Sequence, residues 1–164
     1  MIHFGGFMEK YLVDFDGVVL DSQAKFDEVM MGNTNFHDWN KYLNSINWRE
    51  FYESCNEIDD AFNSLYKLQI NNRLKAILTA IHSFEEGHEK TLILRKNKIT
   101  VPIIFVLPNQ EKSIIYPPCK EDVLIDDKEK NCINFEKAGG KALLFRPKGY
   151  YCSTKTFKSL KEIL

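Results

Sequence analysis

Long apolar runs are missing from this chain. No stretch approaches the roughly 20 consecutive apolar residues that a membrane-spanning helix needs, and the opening MIHFGGFMEK has no basic region followed by an apolar one. A cytoplasmic protein is therefore expected. An excess of either charge is missing too: 22 Lys and Arg stand against 23 Asp and Glu, for a net charge of −1. With the basic residues dispersed, duplex nucleic acid is not indicated as a partner, whereas a small anionic substrate is compatible. Cys55, Cys119, Cys132 and Cys152 form no CxxC pair and have no histidine at zinc-finger spacing, which argues against a zinc module and predicts reduced thiols. Low-complexity tracts and internal repeats are absent. What remains, 44% hydrophobic and 27% charged residues over a length of 164, predicts one compact domain with room for a small inserted subdomain.

The most informative stretch is Tyr11 to Ser22, YLVDFDGVVLDS. Tyr11, Leu12, Val13 and Phe15 have the character of a buried strand, yet Asp14 and Asp16 interrupt it with two carboxylates. Burying them is costly unless something binds them. In an extended backbone, residues two apart project to the same side, so both acids are expected to face one site at the carboxyl end of the strand. Gly17 lets the chain leave the strand tightly and lets a ligand approach. Hard oxygen ligands placed this close favour Mg²⁺.

Residues 23–72 read as a small helical insert. Apolar residues recur at three- and four-residue spacing (Phe26, then Tyr42, Leu43, Ile46, then Trp48, Phe51, Tyr52, Cys55), broken by the turn-like MGNTN at 31–35. Asp59 or Asp60 is placed to cap a further helix carrying Phe62, Leu65 and Leu68. The insert's aromatic residues admit two readings. They fill the core of a small bundle, or one or two of Phe36, Trp39, Trp48 and Tyr52 stack on a ring such as a nucleobase.

Beyond the insert, apolar runs alternate with helical patterns. Arg73 to Ser83, RLKAILTAIHS, gives a buried strand ending in Thr79, with His82 the only histidine near a motif. Residues 84–98 carry acids early and bases late, as suits a helix dipole. VPIIFVL at 101–107 is a further strand, with Pro102 tolerable at an edge, and Lys112 follows it; Lys98 is the competing lysine. In EDVLIDDKEKN, Val123, Leu124 and Ile125 again run into paired acids, Asp126 and Asp127, and Asn131 is placed to support them or to begin the next helix. KALLF at 141–145 is the last core strand, and Lys155 to Leu164 has a helical apolar face. Five strands, at about 11–15, 75–79, 101–107, 122–126 and 141–145, alternating with helices, predict an α/β three-layer sandwich with a mainly parallel, Rossmann-like sheet. In such a sheet the carboxyl ends of the strands form the ligand crevice, so acids from separate strands can share one metal ion.

DFDGV, the strand end at Thr79, Lys112 and the double acid Asp126–Asp127, in that order, resemble the four motifs of the haloacid dehalogenase (HAD) superfamily of aspartate-nucleophile phosphotransferases. The resemblance implies a core of residues 1–22 and 73–164 with a cap at 23–72, the first strand central, and an Mg²⁺-dependent phosphomonoester hydrolase. It also implies roles. Asp14 is the nucleophile and Asp16 the general acid and base; Thr79, the amide of Ala80 and Lys112 hold the phosphate; Asp14, Asp16 through its backbone carbonyl, and Asp126 or Asp127 hold Mg²⁺. LIDDKEKN, AGGKALLF and the helical insert look most like the 5'(3')-deoxyribonucleotidase branch, although Lys128 stands where Arg is common. This points to nucleoside monophosphates as substrates, with sugar phosphates, nucleic acid 3'-phosphate ends, or a non-catalytic metal- and phosphate-binding role as the alternatives.

Overall fold

The computed structural model describes residues 8–32, 39–146 and 156–164, without the side chains of 29–32, 39 and 40. Phe36, His3, His37 and Cys152 lie outside the described residues, and the side chain of Trp39 does too. Strands and helices alternate as β1 (Lys10–Val13), α1 (Ser22–Gly32), α2 (Trp39–Ser45), α3 (Trp48–Glu53), α4 (Ala61–Ile70), β2 (Leu74–Ala80), α5 (Phe84–Lys96), β3 (Ile103–Val106), α6 (Lys112–Ile115), β4 (Asp122–Asp126), α7 (Glu129–Lys137), β5 (Lys141–Phe145) and β6 (Thr156–Phe157), followed by a 3₁₀ turn at Leu160–Ile163.

All strands run parallel in one sheet of order β3-β2-β1-β4-β5-β6. The central strand is therefore β1, with Val13 opposite Ile77 of β2 on one side and Ile125 of β4 on the other. Side-chain alternation sorts the core into two layers. Tyr11, Val13, Ile77, Val123 and Ile125 pack on one face with Phe15, Trp48, Tyr52, Leu65, Leu94 and Phe157. Leu12, Ala76, Leu78, Leu124, Ala142 and Leu144 pack on the other with Cys132 and Phe135 of α7. Helices α1 to α4 thus share one continuous core with the sheet. Phe26, Trp48, Phe51 and Tyr52 pack edge-on, tilted or stacked against one another, which is the core-filling role expected of large side chains in a small bundle.

Three differences from the sequence reading have physical reasons. The sheet has six strands rather than five: β6 is only two residues long, too short to show a period, and the segment expected to be helical from Lys155 supplies this strand and a 3₁₀ turn. Asp60 occupies the N-cap of α4 with φ 60°, but its side chain makes no capping bond. Glu57 Oε1 accepts from Phe62 N at 2.8 Å instead, and Asp59 pairs with Lys161 at 2.8 Å. Finally, β1 ends at Val13, before both acids.

Candidate active site

Because β1 stops at Val13, the chain turns through Asp14–Gly17 and the two carboxylates part. Asp14 Oδ1 accepts from Phe15 N at 2.8 Å, and its Oδ2 lies 2.9 Å from Lys112 Nζ. The same Nζ is 2.6 Å from Asp126 Oδ2. Ligand atoms of Asp14, Asp126 and Asp127 all lie within 4.8 Å of one another. β1 and β4 are hydrogen-bonded neighbours, and both deliver their acids at the carboxyl edge of the sheet. Lys112, 4% exposed, reaches them from the start of α6. The competing Lys98 sits in a left-handed turn after α5, φ 63°, and takes no part in the cluster.

The acids of the pair at 126 and 127 differ in their partners. Asp126 is saturated: besides Lys112 it accepts from Lys128 N at 2.8 Å and from Asn131 Nδ2 at 3.0 Å on each oxygen. Asn131 thus supports the acids, as its position four residues on suggested. Asp127 Oδ1 is buried with no hydrogen-bond partner, a costly arrangement for a carboxylate. Burial, then the charge of Asp14 and Asp126, pushes Asp127 up to about 7. Burial likewise raises Asp14 to about 6 against the pull of Lys112, with Asp126 and Asp16 adding to the rise. For Lys112 burial acts downward, but the charges of Asp126 and Asp14 win and its value is raised. Three crowded carboxyls with one cation between them and an orphaned oxygen fit a hard divalent ion. Gly17 is consistent with this: at φ +73° it lies against Asp127, and a Cβ there would clash with Asp127 Oδ2.

Asp16 belongs to a second network. Its Oδ1 accepts from Ser22 Oγ at 2.7 Å and, at 3.3 Å, shares the single Tyr52 OH proton with Glu86, and its Oδ2 accepts from Lys90 Nζ at 2.6 Å. The side chain therefore turns toward α5 and the insert instead of joining the three-acid cluster as an extended strand would have it. Thr79, fully buried at the end of β2, meets the same lysine at 3.2 Å, and the carbonyl of Ala80 accepts from it at 2.6 Å. Glu86 closes the network, 2.9 Å from Lys90, accepting from Tyr52 OH at 3.1 Å and from His82 N at 2.6 Å. Burial alone would raise Glu86; His82 and Lys90 outweigh it and hold it down to about 2.

Lys90, Glu86 and Tyr52 as polar partners of Asp16 escaped the sequence reading. A lysine within an acidic-to-basic helix reads as solvated. The signal was its spacing, since Glu86, Lys90 and Leu94 recur at i+4 on the buried side of α5. Trp48 and Tyr52 are almost fully buried, and the Trp48 ring stacks on His82. Burial pushes the thiols of Cys55 and Cys132 up to about 12, so neither is an activated nucleophile.

Solved structures decide the fold. A HAD-superfamily hydrolase of subfamily IA from Geobacter sulfurreducens superposes with a TM-score of 0.65 at 16% identity, covering 99% of this chain and 98% of that one. The chain has the haloacid dehalogenase fold. A HAD-superfamily hydrolase from Ehrlichia chaffeensis (TM-score 0.60, 19% identity, 94% and 93% covered) and a putative β-phosphoglucomutase from Thermotoga maritima (0.61, 15%, 95% and 96%) are similar over nearly their whole length. No family model matches the sequence, and no curated protein matches it. β1 at the centre, flanked by the strands that lead to Thr79 and to Asp126–Asp127, is the strand order that the resemblance of the motifs implies.

Proposed function

We propose that this chain is an Mg²⁺-dependent phosphomonoester hydrolase that works through an aspartyl phosphate on Asp14. The observation that carries the reading is the meeting of Asp14, Lys112, Asp126 and Asp127 at the carboxyl ends of β1 and β4. Residues 23–72 then form the cap and 1–22 with 73–164 the core, and the setting is cytoplasmic; among the described residues no helix is long and apolar enough to cross a membrane.

An Asp14 oxygen attacks phosphorus as the bond from phosphorus to the leaving oxygen breaks, and Asp16 gives that oxygen a proton. Water then attacks the aspartyl phosphate, its proton passes to Asp16, and Asp14 and inorganic phosphate are released. Lys112, the Thr79 hydroxyl and the Ala80 amide neutralise or bind the phosphoryl oxygens. Mg²⁺ supplies the charge neutralisation that lets a carboxylate approach a phosphate dianion. Asp14, the main-chain carbonyl of Asp16 and one acid of the pair would hold it. The unpartnered oxygen of Asp127 favours Asp127 for that last place, while the saturated Asp126 holds Lys112.

As substrates we propose nucleoside monophosphates, on the resemblance of the motifs and insert. With Trp48 and Tyr52 committed to packing, a base would lie beside them; a cavity of about 500 Å³ between α2, α3 and α5, lined by Asn44, Asn47, Trp48 and Arg49, is large enough. Sugar phosphates are the second reading, favoured by a cavity of about 390 Å³ at Ala80 and Lys112 whose lining includes Asn109, Gln110, Asn131 and Asn134, amides suited to hydroxyl groups. A panel of phosphorylated nucleosides and sugars with Mg²⁺ decides between them. Asp14→Asn is expected to cut turnover by at least about a thousandfold on every active substrate while the fold is kept; near-normal hydrolysis by that variant refutes the mechanism.

A further inference from the structure

Lys90 has no exposed surface, yet it stands at the junction of every motif that Asp16 and Thr79 belong to. Its ammonium has three protons, and three acceptors take them: Asp16 Oδ2 at 2.6 Å, the Ala80 carbonyl at 2.6 Å and Thr79 Oγ1 at 3.2 Å. Glu86 adds charge at 2.9 Å, and the rings of Phe15 and Tyr52 close over the cation at 5.7 and 6.0 Å. Burying an ammonium is expensive, and a purely structural role would be met as well by an apolar side chain of similar volume.

Two consequences follow from the donor count. Lysine only donates, so the Thr79 oxygen is an acceptor here; among the described residues its own hydroxyl reaches only the Ala80 carbonyl, at 3.5 Å, a long contact that a nearer oxygen would outcompete for the proton. Asp16, contacted by Ser22, Tyr52 and Lys90, has its side chain fixed from three elements: the start of α1, α3 and α5. We propose that Lys90 is a positioning residue for phosphoryl transfer, which anchors the carboxylate of Asp16 and turns the Thr79 hydroxyl proton toward the transferred phosphate. The inference rests on the phosphohydrolase reading above. Lys90 itself touches neither phosphorus nor the leaving group, and acts through the two side chains that do.

Lys90→Met alone leaves the buried Glu86 and the partly buried Asp16 without the cation they share, and so risks unfolding. The decisive variant is Lys90→Met combined with Glu86→Gln, which removes one charge of each sign. It is compared with Glu86→Gln alone and the unaltered enzyme, all with saturating Mg²⁺, for melting temperature, kcat and KM on an alkyl phosphate and on p-nitrophenyl phosphate. The double variant is expected to stay folded and to keep KM within about threefold. Its kcat should fall about a hundredfold on the alkyl phosphate, whose leaving oxygen needs a proton, and clearly less on p-nitrophenyl phosphate. Unchanged kcat in the double variant, or equal losses on both substrates that track the melting temperature, overturns the proposal and leaves the hydrolase reading standing. An unaltered enzyme that hydrolyses no monoester, with Asp14→Asn indistinguishable from it, overturns both.

Discussion

Two aspartates at opposite ends of β4 show how differently one residue type is treated. Asp122, fully buried at the amino end, is satisfied by Lys75 at 2.7 Å, Tyr116 OH at 3.0 Å and Cys119 N at 2.9 Å. Just past the carboxyl end, Asp127 keeps one oxygen buried and unpartnered. The first arrangement is complete as it stands, whereas the second leaves room for the proposed cation. Gly17 is the residue that permits it, because at φ +73° it alone can lie flat against the Asp127 carboxylate. Gly17→Ala should therefore cost about 1–2 kcal/mol, or roughly 3–6 °C in melting temperature, and weaken Mg²⁺ binding about tenfold or more. Differential scanning fluorimetry and a calorimetric Mg²⁺ titration check both, and wild-type values in each would show that this contact constrains nothing.

At the scale of elements, α5 carries the parts of the site that sequence patterns hid. Its start is fixed by Ser83, whose hydroxyl accepts from Glu86 N at 3.1 Å, and its charge order suits the dipole, with Glu85 and Glu86 first and Arg95 and Lys96 last. Ser83→Ala should lower stability by about 1 kcal/mol, or about 2–4 °C, while kcat changes little; a kcat loss above about tenfold without thermal destabilisation would contradict a capping role. The elements legible in the sequence were those whose pattern is set locally. Strands β4 and β5 match their expected spans because unbroken apolar runs meet acids or glycines at their ends. Asp14 and Asp16 stood out in the sequence because carboxylates in an apolar, strand-like run are costly without a partner. Hidden features depended on pairing across the chain: β6 exists through its bonds to β5 alone, and Lys90 lies inside through Asp16, 74 positions away. The separation of Asp14 from Asp16 followed from where β1 stops, which a two-residue alternation does not encode.

For the molecule as a whole, crowding of the carboxyls should make stability depend on pH and, on the proposed Mg²⁺-binding reading, on metal as well. In the folded chain Asp14 lies at about 6 and Asp127 at about 7, both above the roughly 4 of an unfolded aspartate. Between these values the folded state holds more protons than the unfolded one, so stability falls as pH rises. Below about pH 4 both states are protonated and the effect vanishes; above about 7 the cost is complete. Glu86 has the opposite sign, but its depressed value of about 2 gives a stabilisation already present above its unfolded range and lost only in acid. It leaves the slope between pH 5 and 8 to the crowded aspartates. The metal-free protein should thus lose roughly 5–10 °C in melting temperature between pH 5 and 8. Saturating Mg²⁺ should flatten that slope and raise the melting temperature most at pH 8, because a cation among ionised carboxylates binds the folded state alone. Thermal melts across this range with EDTA and with Mg²⁺ make the comparison. A metal-free melting temperature that rises toward pH 8, or one that Mg²⁺ leaves unmoved there, would mean that Asp14, Asp126 and Asp127 do not form a divalent-cation site.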